Sequence, residues 1–142
     1  MRSDGRRDVE AAESARSAES AAAAEALVVV EVGDRIATLT FNRPDVGNAV
    51  NPALITALSF GLDQLDSWVA RKPTAAAVVV TGAGGRAFVS GADLNYLRSI
   101  STAEEMAAFS RTMQTALARL EDLPVPVLAA LEGPALGGGT EV

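Results

Sequence analysis

From Leu27 onward the chain alternates between short apolar runs and longer stretches with helical spacing. Leu27 to Val32 and Ile36 to Phe41 are β-prone runs on either side of Gly33-Asp34, a junction that predicts a hairpin. Asn42-Arg43-Pro44-Asp45 closes the second run. Asn51-Pro52 predicts an N-cap followed by proline in the first helical position. Leu54, Leu58, Leu62, Leu65 and Val69 then recur at spacings of three and four, one face of a helix of about five turns. Lys72-Pro73 ends it.

Ala75 to Thr81 is a continuous apolar run, which predicts a strand buried on both faces. A glycine-rich turn, Gly82 to Gly85, leads into an irregular stretch from Arg86 to Gly91. Ser101 and Glu104 have the spacing of a capping box. Behind them, Met106, Phe109, Met113, Leu117 and Leu120 form the stripe of a second amphipathic helix, with both methionines read as core. Pro124 to Leu131 predicts a second buried strand, and Gly133 to Gly139 follows it. No repeat at a fixed period is present. Strand, helix, strand, helix, strand is an α/β pattern. The chain stops at Val142, just after a glycine run with the look of a third helix start, so a truncated domain is expected over residues 27–142.

Residues 1–26 differ in kind. Between Glu10 and Ala26 there is almost only Ala, Ser, Glu and Arg, with no apolar stripe to dock a helix, and a disordered extension is expected. Asp4, Asp8, Glu10, Glu13, Glu19 and Glu25, with no apolar core, argue against a transit or secretory signal. A cytoplasmic protein is the resulting expectation. The net charge of −6 excludes the basic face that nucleic acid would require. No apolar run is long enough for a membrane span. With no histidine and no cysteine, no metal site is expected, and Ser-His or Cys-His triads are excluded within this chain. Carboxylates, hydroxyls and backbone must carry any chemistry.

Val78 to Ala87 contains a strand followed by Gly-x-Gly-x-x-Ala, the outline of a dinucleotide fingerprint. No helical stripe opens at those glycines, and no strand ends in an acid about twenty residues on. A tight turn is the better reading. Ser90-Gly91-Ala92-Asp93-Leu94 has small residues that let a ligand approach the backbone, and Asp93 is placed to cap a short helix; a capped turn and nothing more explains it equally well. Gly137-Gly138-Gly139 would present backbone N–H groups at a helix start, with the Glu141 carboxylate three residues after Gly138 on the same face. A backbone donor and an acid facing one spot suit a reaction that builds negative charge on oxygen while a proton moves nearby. Close strand–helix packing beside a solvated glutamate is the alternative.

Four segments together resemble the crotonase family, the enoyl-CoA hydratases and isomerases: Asn42 to Ala49, Val78 to Phe88, Ser90 to Leu94, and Pro126 to Glu141. They stand in family order across residues 27–142. The resemblance implies a crotonase-like ββα spiral fold, here reaching only the start of its third core helix. It implies an acyl-CoA thioester substrate, no added cofactor, and a homotrimer or hexamer at full length. Its oxyanion hole falls on the backbone N–H groups of Ala92 and Gly138. Ala92, Asp93, Leu94 and Asn95 match the acyl-CoA contact segment. Asp45 to Asn48 match a loop near the CoA moiety, with Arg86 either a phosphate partner or a solvated charge. Glu141 matches the first of two catalytic glutamates of the hydratases, and the second would lie beyond Val142. Enoyl-CoA hydratase is therefore the leading expectation. Isomerase, CoA-thioester hydrolase or naphthoate-type synthase on the same scaffold, or a non-catalytic remnant, are the alternatives.

Overall fold

The structure, a computed structural model, describes residues 27–142. The extension expected over residues 1–26 lies outside the described residues. The hairpin forms as the turn chemistry predicts: β1 (Val28–Val32) runs antiparallel to β2 (Ile36–Phe41), with Val28 opposite Phe41 and Val32 opposite Ala37. Two further strands, β3 (Ala77–Gly82) and β4 (Val127–Ala130), add in parallel to give the order β1-β2-β3-β4.

The β2–β3 connection is made by α1 (Pro52–Arg71), whose start is fixed by the Asn51 side chain accepting from the Leu54 N–H at 2.9 Å. Leu54, Leu58, Leu62 and Leu65 are buried against Ala37, Leu39, Phe41, Val78 and Val80, the alternate residues of one sheet face. Each fully buried leucine contributes about 1.5–3 kcal/mol of hydrophobic stabilisation. Gly61 sets the approach: a Cβ there would meet methyls of both Val28 and Val30 at 3.1 Å. At the far end the Trp68 indole donates to the Gly33 carbonyl at 3.3 Å and pins the helix to the hairpin turn.

The β3–β4 connection carries a short helix, α2 (Leu94–Ser99), and a long one, α3 (Ala103–Glu121). α3 lies beside α1, burying Met113, Ala116, Leu117 and Leu120. Arg119 reaches across to Asp63 and Asp66 at 2.7 Å, but both acids are largely exposed, so these pairs contribute little beside the apolar contact. The capping box is one residue later than the sequence spacing suggests. Thr102, not Ser101, caps α3, and Glu105, not Glu104, reaches back. Both registers exist in Ser-Thr-Ala-Glu-Glu. The observed one also lets the Glu105 carboxylate take the Ser101 N–H.

Two strand expectations need correction. β3 buries Val78 and Val80 completely but leaves Ala77, Val79 and Thr81 only half-buried, because no layer covers its second face among the described residues. β4 is shorter and more open than a buried strand: Leu128 is 53% exposed and Leu131 61%. It pairs only with β3 among the described residues, and Val127 alone of its residues packs against the core cluster, partly buried.

The parallel strands β2, β3 and β4 all end at the same edge of the sheet, and the loops leaving them meet there. Two isolated parallel bridges join these loops, Val50 with Ala92 and Val89 with Ala135. Outside the carboxyl ends of parallel strands is where α/β sheets form ligand sites.

Candidate active site

The loop layer is built on backbone pairing. The Val50 N–H donates to the Gly91 carbonyl at 2.8 Å, and the Asp93 N–H donates to the Val50 carbonyl at 2.7 Å. These bonds use the groups flanking Ala92, and alternation turns the Ala92 N–H away from Val50. On the other side the Leu136 N–H donates to the Val89 carbonyl at 3.0 Å.

The glycine run then forms a short 3₁₀ turn, Gly137–Thr140. Its glycines have different tasks. Gly137 has φ of +51°, a left-handed conformation that favours glycine. Gly139 is buried, and a Cβ there would lie 2.0 Å from the Val89 carbonyl oxygen, so only glycine permits this contact. The Gly139 N–H makes the first hydrogen bond of the turn, to Leu136. The Gly138 N–H precedes that bond and, like the Ala92 N–H, takes no part in the hydrogen bonds that tie these loops together.

Ala92, Gly138 and Glu141 line one cavity of about 280 Å³. Val50, Leu97, Met106, Phe109 and Met113 supply its apolar wall, while Ser110 and Gln114 add polar groups from α3. Among the described residues Glu141 is the one carboxylate in this lining. The cavity thus joins an apolar wall to a carboxylate and to two residues whose amides the loops leave unengaged. A larger hollow, about 600 Å³, lies between β1 and α1 around Phe60 and Trp68. Its acid, Asp63, is already paired with Arg119, and it lacks a glycine turn with unengaged amides. Chemistry, not size, singles out the smaller cavity.

Not all the residues expected in the binding segment reach the cavity. Asp93, Leu94 and Asn95 are outside its lining. Asp93 caps α2, accepting from the N–H groups of Asn95 at 3.0 Å and Tyr96 at 3.4 Å, and pairs with Arg43 at 3.1 Å. Burial pushes its carboxyl up, but the Arg43 hydrogen bond, the two backbone bonds and the guanidinium charge together hold it below the usual carboxylate range. Leu94 is 65% exposed, and Asn95 accepts a hydrogen bond from Arg98 at the surface. Arg86 is exposed.

Other residues carry more than the sequence suggested. Asn48, in the segment matched to a loop near the CoA moiety, is fully buried with φ of +57°. Its amide nitrogen donates to the carbonyls of Ala83, Ala87 and Phe88, and its oxygen accepts the Arg43 N–H at 2.8 Å. The signal was Gly47-Asn48, a pair of types that tolerate left-handed backbone. Met106 is not core: it is 39% exposed and walls the cavity, as does Met113. The second half of the α3 stripe, Met113, Leu117 and Leu120, is buried, whereas Met106 at its start lies exposed beside the cavity. The glycines at 84 and 85, both with positive φ, form a turn that leads to no helix before Leu94, in keeping with a tight turn over a dinucleotide fingerprint.

Comparison with known proteins identifies the architecture. The family model described as enoyl-CoA hydratase/isomerase matches residues 31–142. The short-chain-enoyl-CoA hydratase of Clostridium acetobutylicum is 34% identical over 115 residues, covering 81% of this chain and 42% of that protein. The ethylmalonyl-CoA decarboxylase of Danio rerio is 39% identical over 108 residues, covering 75% of this chain and 34% of that protein. The crystal structure of an enoyl-CoA hydratase from Bacillus anthracis superposes with a TM-score of 0.72 at 32% identity, covering 81% of this chain and 43% of the other. The chain thus spans less than half the length of these relatives. With its α/β sheet, crossover helices and loop layer matched over that span, the chain belongs to the enoyl-CoA hydratase/isomerase family, and its fold is that of the crotonases.

Proposed function

We propose that this chain carries the acyl-binding and enolate-stabilising part of an enoyl-CoA hydratase. One observation carries the reading: two loop amides that their own loops leave unengaged, at Ala92 and Gly138, and the Glu141 carboxylate line the same small cavity. A thioester carbonyl oxygen placed at the two amides gains most from them as it becomes an enolate oxygen, so they favour the transition state over the ground state. Glu141 takes a proton from water as the water oxygen bonds to the β-carbon of the enoyl group. The α-carbon is then protonated; the family resemblance puts the second carboxylate serving this addition beyond Val142. Leu97, Met106, Phe109 and Met113 receive the acyl chain, and the unbranched methionines suit chains of varied shape.

A whole CoA ester is far too large for about 280 Å³, so its nucleotide part lies across the surface. The exposed Leu94, Asn95 and Arg86 are the candidates to meet it, with the backbone of Ala92 and Asp93 at the junction. The chemistry invokes no added cofactor and no metal. The trimeric or hexameric assembly of the family, and a cytoplasmic location, belong to the same proposal; among the described residues no helix is long and apolar enough to cross a membrane.

The test is hydration of crotonyl-CoA, followed by loss of the conjugated thioester absorbance, in this chain and in this chain continued to the length of its relatives. Glu141→Gln keeps shape and removes the base, and hydration should fall by about 10²-fold or more. Full hydration by Glu141→Gln, with substrate bound normally, rejects the hydratase assignment and favours isomerase or hydrolase chemistry at the same amides.

A further inference from the structure

We propose that Arg43 is a positioning residue for the oxyanion site: through Asp93 it clamps the Gly91–Asp93 segment onto Val50 and thereby aims the Ala92 amide. The link to catalysis rests on the function proposed above, whereas the clamp is a property of the folded chain.

The Gly91 carbonyl and the Ala92 N–H belong to one planar trans peptide, so they point in opposite directions. Holding that carbonyl on the Val50 N–H therefore sets where the Ala92 N–H points. Val50 and Ala92 form an isolated bridge outside the sheet, and Gly91, with φ of +94°, places a flexible joint directly before Ala92.

Arg43 grips both sides of this bridge. One guanidinium nitrogen donates to the carbonyl of Ala49, the residue before Val50. The other donates to Asp93 Oδ2 at 3.1 Å, the residue after Ala92. The two side chains are only 17% and 13% exposed, so the pair is little screened by water. Asp93 Oδ1 is meanwhile held by the first amides of α2, so both oxygens of one carboxylate are committed. Arg43 is itself anchored, because its backbone N–H donates to buried Asn48. The result is a continuous polar chain from the β3 turn, through Asn48 and Arg43, to the peptide that carries the oxyanion donor.

The experiment is amide hydrogen exchange by NMR on the full chain, comparing the parent with Arg43→Gln, Arg43→Lys and Asp93→Asn. Asparagine preserves the α2 cap but removes the charge, which separates clamp from cap. Exchange at Val50 and Asp93 should speed up at least about tenfold in Arg43→Gln and Asp93→Asn, the scale of a lost charged hydrogen bond. Arg43→Lys should be intermediate, since one ammonium cannot serve both acceptors with the guanidinium geometry. Amides of Leu58 and Leu62 in α1 should be unchanged. In crotonyl-CoA hydration, kcat should fall about tenfold while KM stays within about twofold, the pattern of a contact made in the transition state. Unchanged exchange at Val50 and Asp93, or equal acceleration in α1, overturns the clamp. A parent that does not hydrate crotonyl-CoA counts against the proposed function alone, because the exchange data still decide on the clamp.

Discussion

The slab formed by α1 and the sheet, and the loop layer at the ends of β2, β3 and β4, are held together by different forces. In the slab, Leu54, Leu58, Leu62 and Leu65 meet alternate residues of β2 and β3, and almost every contact is apolar. The loop layer shares that core through Val50, Phe88 and Val89, but adds polar and backbone ties that the slab lacks. It is joined by Asn48, by the Arg43–Asp93 pair, by two isolated bridges, and by glycines at van der Waals limits. Apolar burial is non-directional and tolerant of shape. Hydrogen bonds fix direction, and direction is what an amide aimed at an oxygen requires. On the proposed function, the slab supplies most of the stability and the polar layer supplies aim.

Removing volume from the slab tests the first half of that comparison. Leu62 is completely buried, and Leu62→Ala should cost about 2–5 kcal/mol by urea denaturation. A loss below about 1 kcal/mol would mean the slab is not the source of stability. Asn48→Ala tests the second half, because it strips partners from three carbonyls and one N–H and places alanine at positive φ. We expect a loss of about 2–3 kcal/mol, smaller than that at Leu62. Asn48→Asp should be worse than alanine, since a carboxylate oxygen would then face those carbonyls; the reverse order would show that side-chain volume, not donation, matters there.

The smallest effect concerns pH. The Asp93 carboxyl is held below its usual range in the folded chain, so its contribution is present above the ordinary carboxylate pKa and is lost as pH falls through the lower folded value. Acid unfolding of the parent should therefore be steeper in that window than that of Asp93→Asn. Coincident acid limbs would show that Asp93 is not linked to stability.

What the sequence disclosed follows the same division. The stripe of α1, its Asn51 cap and the Gly33-Asp34 hairpin were legible because periodicity and turn chemistry are local. The capping box slipped by one residue because Ser101 and Thr102 both fit the spacing, and only the fold chooses between them. Exposure of β4 could not be read from Val-Leu-Ala-Ala, since apolar runs do not state whether a covering layer is present. Ala92, Gly138 and Glu141 were found through motif resemblance, and the structure does bring them to one cavity. Arg43 and Asn48 were noted only within a family-like segment and a loop near the CoA moiety; their buried hydrogen bonding was missed, because partners up to fifty positions away are not visible in the sequence. Met106 was misread for a related reason: a helical stripe does not reveal whether it covers a sheet or a cavity.

The central claim is that the amides of Ala92 and Gly138 grip the thioester oxygen. Its most direct test is the isotope-edited infrared spectrum of crotonyl-CoA labelled with ¹³C at the carbonyl and bound to the protein. A carbonyl held by two preorganised donors is polarised, so its stretching band should move to lower frequency on binding. In Gly138→Pro, which lacks the N–H, most of that shift should vanish while the thermal melt matches the parent. A bound carbonyl band at its solution frequency, or an equal shift in Gly138→Pro, would contradict the account.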